Sequence, residues 1–452
     1  MIPPPTKLSL ANALSSAHET RALKIGKGIL PQCAQVFREQ FGNQPAIIVA
    51  DENTWKVAGQ TVNGAFKASG YQVLEPFIFR DADLYAESSF VAKLEAALQS
   101  HSAIPVAVGS GTINDLTKLV AHRLGRTYMC GATAASMDGY TAFGASITHE
   151  GLKQTFFCPA PMAVVADLDV ICNAPGLMNS WGYADLVAKV TAGADWIVAD
   201  ALGAEAIETQ AWNIVQGRLR EMISDAPGVL SRTPEAIERL VEGLMLGGFA
   251  MQSAQSSRPA SGAEHQFSHL WDMQHHTHNG AAPSHGFKVG IATLAVTALY
   301  ERLFELPLDQ VDVERCVATW PELDDWAKRA RTLLGEGELS DSAIKEIQAK
   351  HCTREQLLEQ LTTLRKCWRE LREQLRSQLL PLATLRQLLR EVGAPTEPEQ
   401  IGISRERLRD SYWQAWCVRR RFTVLDLAAR TGVLDDCLKE IFGSGGVWPL
   451  KS

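Results

Sequence analysis

The chain has 452 residues, 46% of them hydrophobic and 21% charged, with a formal net charge of -7. Its length suits two or three domains, its composition is that of a folded globular protein, and its acidic balance excludes the basic face that nucleic acid requires. No run of about 18 apolar residues exists to span a membrane, the opening MIPPPTKLSL lacks the layout of a signal peptide, and nine scattered cysteines without a CxxC pair read as reduced thiols of a cytoplasmic protein.

Up to about residue 175 the pattern is α/β. Ala46–Ala50 forms a short apolar run ending at Asp51, and Ile104–Val108 forms another ending at Gly109. A third run, AVVADLDVI, contains Val164–Ala166 and Leu168–Val170. Short apolar runs bounded by Gly, Pro or Asp predict parallel strands buried on both faces. The segment between Asp115 and Leu124 is helix-like.

The run VAVGSGTINDLTKLVAH reads as a strand, a glycine turn and a helix start. Gly109 and Gly111 let the backbone approach an anion, with Ser110, Thr112 and the following amides at the positive end of the helix dipole. Asn114 and Asp115 are expected as caps. The dinucleotide fingerprint GxGxxG is incomplete, because Asn114 stands at its third glycine position. In the usual Rossmann unit the ribose-binding acid follows the glycines by about 20 residues. Here the available acid, Asp51, precedes them. Its carboxylate would favour NAD over NADP by repelling a 2′-phosphate; an ordinary turn residue is the competing reading. The domain is therefore a nucleotide fold of another topology, or no nucleotide fold.

After Ala174-Pro175 the β-branched runs largely vanish. Helical spacing covers Ser180–Asp200, Gln210–Ser224, Pro234–Ser253, Val289–Phe304 and Arg354–Leu380. Leu357, Leu361, Leu364, Trp368, Leu371, Leu375 and Leu379 make one apolar stripe, expected to pack into the bundle. Pro381 ends or kinks that helix. The tail opens at Gly393 with a polar linker, GAPTEPEQ, and its Arg419-Arg420-Arg421 run is expected as a solvated face. Two domains are expected, 1–175 α/β and 176–452 helical, the latter carrying an extended helical tail from about 335.

Six of the eleven histidines fall between His265 and His285, in EHQFSHLWDMQHHTHNGAAPSHG. His265 and His269 are one helical turn apart and face one cavity. His285 follows in a turn-like SHG, and Asp185 sits in a helical segment. One Asp and two His suit a divalent ion with positions open to substrate, which implies Lewis-acid chemistry. His275, His276 and His278 are either further ligands or a polar loop.

The stretches GSGTINDLTK, TAASMDGYTAFGA, LKQTF, PMAVVADLDV, GYADLVAK, ADW, EHQFSHLWDM and HGFKVGIAT occur in this order between about Lys24 and Tyr300. Together they resemble the glycerol-1-phosphate dehydrogenase family, within the dehydroquinate synthase-like and iron-containing alcohol dehydrogenases. The resemblance implies an N-terminal Rossmann-like nucleotide-binding α/β domain and an all-α C-terminal domain, the dehydroquinate synthase-like fold, with the active site between them. Asp185, His265 and His285 match the family's metal ligands, and Asp185 also touches substrate. His269 and Asp138 match substrate contacts. Asp51, Gly109, Ser110, Gly111, Thr112, Asn114, Asp115 and Thr133 match dinucleotide contacts. Four residues after Asp138 the family often has a serine beside the cofactor; Ala142 stands there and removes one polar contact.

The implied reaction interconverts dihydroxyacetone phosphate and sn-glycerol 1-phosphate with NAD or NADP, serving phospholipid metabolism. One zinc, nickel or iron ion would polarise the carbonyl oxygen, His269 or a water would relay the proton, and Asp138 would hold the terminal hydroxyl. Lys153 and Lys288 are candidates for the phosphate. A soluble homo-oligomer with a small phosphorylated substrate is expected. The alternatives are a carbon–oxygen lyase of the dehydroquinate synthase type, a dehydrogenase of another polyol or polyol phosphate, and a non-enzymatic regulator that has kept the fold.

Overall fold

The computed structural model describes residues 4–150 and 152–450. Six parallel strands form one sheet in the order β1 (Ala22–Gly26), β8 (Ala163–Asp167), β5 (Met129–Ala132), β4 (Ile104–Gly109), β2 (Ala46–Asp51), β3 (Phe77–Phe79). An antiparallel hairpin, β6 (Ala145–His149) and β7 (Leu152–Phe156), stands apart from it. Both β2 and β4 are buried throughout their middles, as their continuous apolar runs require.

The two-residue period of a strand divides the core. Ala46 and Ile48 pack with Phe37 and Phe66, from helices α1 (Cys33–Phe41) and α2 (Gln60–Ala68). Ile47 and Val49 pack on the opposite face with Leu94 and Leu116, from α3 (Ser88–Leu98) and α4 (Gly111–Arg123). The sheet is thus covered on both sides.

Beyond β8 the described residues contain no further strand. The helices that matter for the site are α5 (Gly176–Val187), α6 (Lys189–Ala201), α7 (Pro234–Ala254), α8 (Ala263–Met273) and α9 (His285–Glu305). The later helices α10 (Glu338–Lys350), α11 (Arg354–Gln378), α12 (Arg405–Cys417) and α13 (Val424–Arg430) wrap around them. Among the described residues no helix is long and apolar enough to cross a membrane. The leucine–tryptophan stripe of α11 is fully buried, each such side chain contributing roughly 1.5–3 kcal/mol of burial. A capping box at Thr353 starts that helix and Pro381 lies just past its end.

Several local expectations are corrected. Leu168–Val170 is helical, not extended, because Asp167 caps the turn: its carboxylate accepts from the Asp169 amide at 2.9 Å. The expected single helix at 180–200 is two, joined at Ala188. The GAPTEPEQ segment is packed rather than a free linker, with Ala394, Thr396 and Pro398 buried. Arg421 is also not part of a solvated face: it donates to the Ser261 carbonyl at 2.6 Å and to the Ser257 hydroxyl at 2.7 Å.

Candidate active site

Strand β4 delivers the glycine turn to the carboxyl edge of the sheet. A Cβ on Gly109 would lie 2.5 Å from Ile113 Cβ, and one on Gly111 would lie 2.6 Å from Met137 Cε. A side chain at Gly109 would collide with the branch point of Ile113, and one at Gly111 would displace the end of Met137. Ser110, not Asn114 or Asp115, is the N-cap of α4; it is extended and its hydroxyl makes no capping bond. The first amides of α4 therefore face outward at a helix N-terminus, the arrangement an anion needs. Thr112 follows in the first turn, and the Thr133 amide donates to the Gly109 carbonyl at 3.1 Å from the end of β5.

Strand β2 neighbours β4, so Asp51 sits beside the glycine turn although it precedes it by more than fifty residues. Asp51 Oδ1 accepts from the Asn53 and Thr54 amides at 2.8 Å each, in a capping box. The Asn114 side chain is engaged inside the protein, accepting from Tyr128 at 3.0 Å and donating to Gly139 at 3.3 Å. Asp115 accepts from the Ser146 amide at 3.2 Å. Lys118, one turn further along α4, is buried and donates to the carbonyls of Gly139, Ala142 and Gly144 at 2.7–3.0 Å. It pins the loop that carries Asp138.

That loop joins the glycine turn to the helices. Its Ala135 carbonyl rests on Gly182 of α5, and Asp138 and Thr141 rest on Gly247 and Gly248 of α7. The Asp138 amide donates to Asp185 Oδ2 at 3.1 Å. Met137 thus touches the glycine turn while its neighbour touches Asp185.

Asp185 on α5, His265 on α8 and His285 on α9 each offer one ligand atom, and these atoms lie within 4.8 Å of one another. His285 is the first residue of its helix rather than part of a turn, because Ser284 caps the helix by accepting from the Phe287 amide. The donor set fits a divalent ion. His265 Nδ1 lies 2.8 Å from the buried carboxylate of Glu264 and donates to it, which turns Nε2 toward Asp185 Oδ1, 3.6 Å away. His285 Nδ1 lies 3.3 Å from the Ser268 hydroxyl. His269 stands at the edge of this group, its ring centroid 6.3 Å from that of His265 and 6.4 Å from that of His285.

Lys189 was not legible as a site residue, yet its ammonium lies 2.7 Å from both Asp185 Oδ1 and Asp138 Oδ2 and is fully buried. Burial alone would raise the Asp185 carboxyl; Lys189 and the two histidines outweigh it and hold the group below the usual carboxylate range. Burial and the charge of Asp185 push Asp138 the other way, above that range. Lys288 is ion-paired with Asp272, so its charge is already countered. The Lys153 side chain lies outside the described residues. His276 is buried in a loop, its Nε2 2.6 Å from the Ile401 carbonyl, and does not join the Asp185 group.

The pattern of the iron-containing alcohol dehydrogenases matches residues 24–175. A glycerol-1-phosphate dehydrogenase [NAD(P)+] of Halalkalibacterium halodurans is 34% identical over 286 residues, covering 63% of this chain and 71% of that one. The chain belongs to the glycerol-1-phosphate dehydrogenase family. The family likeness extends to an archaeal relative from Pyrococcus abyssi, 31% identical over 62% of this chain and 78% of that one. A Geobacillus thermodenitrificans relative, 28% identical, aligns with 84% of this chain and 85% of its own, reaching into the later helices. The fold is that of the iron-containing alcohol dehydrogenases. A probable glycerol dehydrogenase from Sinorhizobium meliloti superposes with a TM-score of 0.59 at 14% identity, over 93% of this chain and 98% of that one. A butanol dehydrogenase from Thermotoga maritima superposes with a TM-score of 0.55 at 14% identity, over 97% of each chain.

Proposed function

We propose that this chain is a metal-dependent oxidoreductase that interconverts dihydroxyacetone phosphate and sn-glycerol 1-phosphate with NAD(P)(H). The observation that carries the reading is the convergence of Asp185, His265 and His285 beside a loop that also touches the glycine turn. Relatives bearing the glycerol-1-phosphate dehydrogenase name support this substrate over the lyase alternative.

In this reading Asp185, His265 and His285 hold one zinc, nickel or iron ion, since Asp and His suit all three. When bound, the ion supplies Lewis-acid stabilisation of negative charge and the nicotinamide supplies the hydride. The chain's own groups do the rest. Gly109, Ser110, Gly111 and Thr112 receive the pyrophosphate at the N-terminus of α4, with Thr133 alongside, and Asp51 receives the ribose. Asn114 and Asp115 contribute by fixing the start of α4 rather than by reaching out. Glu264 holds the ring of His265 so that Nε2 faces the site. Lys189 fixes Asp138, which is suited to accept from the terminal hydroxyl of the substrate. His269, at the edge of the group, is placed to hold and pass the proton.

We take residues 1–175 as the dinucleotide-binding domain and 176–452 as the helical metal- and substrate-binding domain. The free cysteines suit a reducing, cytoplasmic compartment, and a homo-oligomer is expected, which light scattering tests. The function is tested by mixing metal-loaded protein of verified content with dihydroxyacetone phosphate and NADH or NADPH. Loss of reduced-nicotinamide absorbance is expected; none with either cofactor sinks the assignment.

A further inference from the structure

A second cavity, of about 930 Å³, opens on the helical side of the molecule. It is walled by the end of α6 and its following turn, the junction of α10 with α11, the segment before α13, and the end of α13. No residue of the Asp185 group or of the glycine turn lines it. Its volume is that of a small-molecule site.

The chemistry of its wall is uneven. Arg430 is only 7% exposed, and neither it nor Arg421 is ion-paired with a carboxylate among the described residues. The Arg430 guanidinium donates one amino group to Gln360 and another to the Lys350 carbonyl at 3.2 Å, while its Nε is buried with no hydrogen-bond partner. His351 Nε2, on the same wall, is also buried without a partner. Arg421 spends its amino groups on Ser257 and Ser261, both neutral acceptors. Burial, and then the neighbouring charge of Arg258, lower Arg421 to about 10, with Glu205 and Glu264 opposing them.

Three of the other charged groups on the wall are ion-paired. Lys350 is paired with Asp426 at 3.1 Å and Arg420 with Glu346 at 2.7 Å. Glu205 is paired with Arg258 at 3.3 Å. Asp200 accepts from the Ile207 amide at 2.9 Å, and Glu359 is solvent-exposed. Arg421 and Arg430 are therefore the two guanidinium groups of the wall without a carboxylate partner among the described residues, and the Nε of Arg430 is a buried donor still open to an acceptor. Guanidinium groups bind phosphate through forked, charge-assisted bonds that an ammonium cannot reproduce.

We propose that this cavity is a second binding site, taking a small phosphate-bearing anion between Arg421 and Arg430. An occupant would also sit on the frame of the metal group: Arg421 holds Ser261, two residues before the start of α8, and α8 carries His265.

The test is a calorimetric titration of the full-length, metal-loaded protein with inorganic phosphate and, separately, with phenyl phosphate, at constant ionic strength. Wild type, R430Q and T363E are compared; Thr363 lines the cavity from α11 and its replacement adds a carboxylate there without touching a hydrogen bond of the wall. Binding is expected in the wild type and weaker by at least about tenfold in both variants. Tighter binding of phenyl phosphate assigns the cavity to phosphate esters, and equal or weaker binding assigns it to the free ion; either supports the site. If R430Q does not fold, T363E decides. No heat from the wild type at millimolar ligand overturns the proposal, and so does T363E binding both ligands as tightly as wild type, which would put the anion in the Asp185 cleft instead.

Discussion

Lys189 Nζ lies 2.7 Å from Asp138 Oδ2, and this contact joins the α/β half of the chain to the helical half at the candidate site. The same ammonium lies 2.7 Å from Asp185, so one buried cation counters two carboxylates. The triad is costly to bury and costlier to break, since removing one partner of a buried pair costs about 3–5 kcal/mol. K189M is expected to lower the melting temperature by several degrees and turnover by at least about a hundredfold. Wild-type melting together with wild-type turnover would remove Lys189 from the site.

Glu264 acts one shell further out. Its carboxylate accepts from His265 Nδ1 at 2.8 Å, the Gly262 amide at 2.5 Å and the Thr191 hydroxyl at 2.9 Å. E264Q keeps the shape and removes the charge that makes the imidazole a better donor to a metal. Metal affinity, read by competition with a chelator, is expected to fall about 10–100-fold. An unchanged affinity would show that the Glu264 contact orients nothing that binds metal.

Gly182 tests how finely the two halves must fit. An alanine Cβ there would lie 2.0 Å from the Ala135 carbonyl oxygen, so the loop bearing Asp138 must move by about 1 Å, a displacement that can cost about a hundredfold in rate. G182A is expected to lose activity on that scale while keeping its helical circular dichroism. G176A, in the same helix but with nothing within 4 Å of its new methyl, is the control. Equal activities in the two variants would sink the argument.

The contrast among these residues shows what the sequence made legible. Runs such as Ala46–Asp51 and Ile104–Gly109 declare strands because a two-sided apolar environment leaves a local trace. The metal donors were legible because their residue types are rare in combination and lie in stretches resembling a known family. Lys189 was missed although it is four residues after Asp185, because the pair spans the break at Ala188 and a lysine on a helix usually points to water. Lys118 was missed for the same reason: its partners are three carbonyls of a loop more than twenty residues away. The burial of Arg421 depends on Ser257 and Ser261, far away in sequence. Long-range polar partners leave no local periodicity to read.

His276 gives the pH prediction. Its Nε2 lies 2.6 Å from the Ile401 carbonyl and must donate, while its Nδ1 lies 2.7 Å from Arg407 Nη1 and must accept. Only the neutral imidazole satisfies both, and protonation would set a second donor against a guanidinium. Burial, and then Arg407, lower this histidine below its ordinary value, with the Ile401 bond opposing them and Lys288 and His278 adding to the lowering. In the unfolded chain a histidine titrates near about 6.5. Below that pH the unfolded state takes up a proton that the folded state refuses, so the stability contributed here is present above about 6.5 and is lost as pH falls. The loop at stake links α8 to α9, and Arg407 of α12 also binds Gln274 in it at 2.8 Å. H276Q can keep both bonds, with its amide nitrogen donating to Ile401 and its oxygen accepting from Arg407, yet it carries no titratable proton. Between about pH 7.5 and 5.5 the wild type is expected to lose more melting temperature than H276Q. Parallel curves would mean that the His276–Arg407 contact does not survive in solution, and that the later helices hold the metal-site loop by other contacts, such as the Ile401 carbonyl alone.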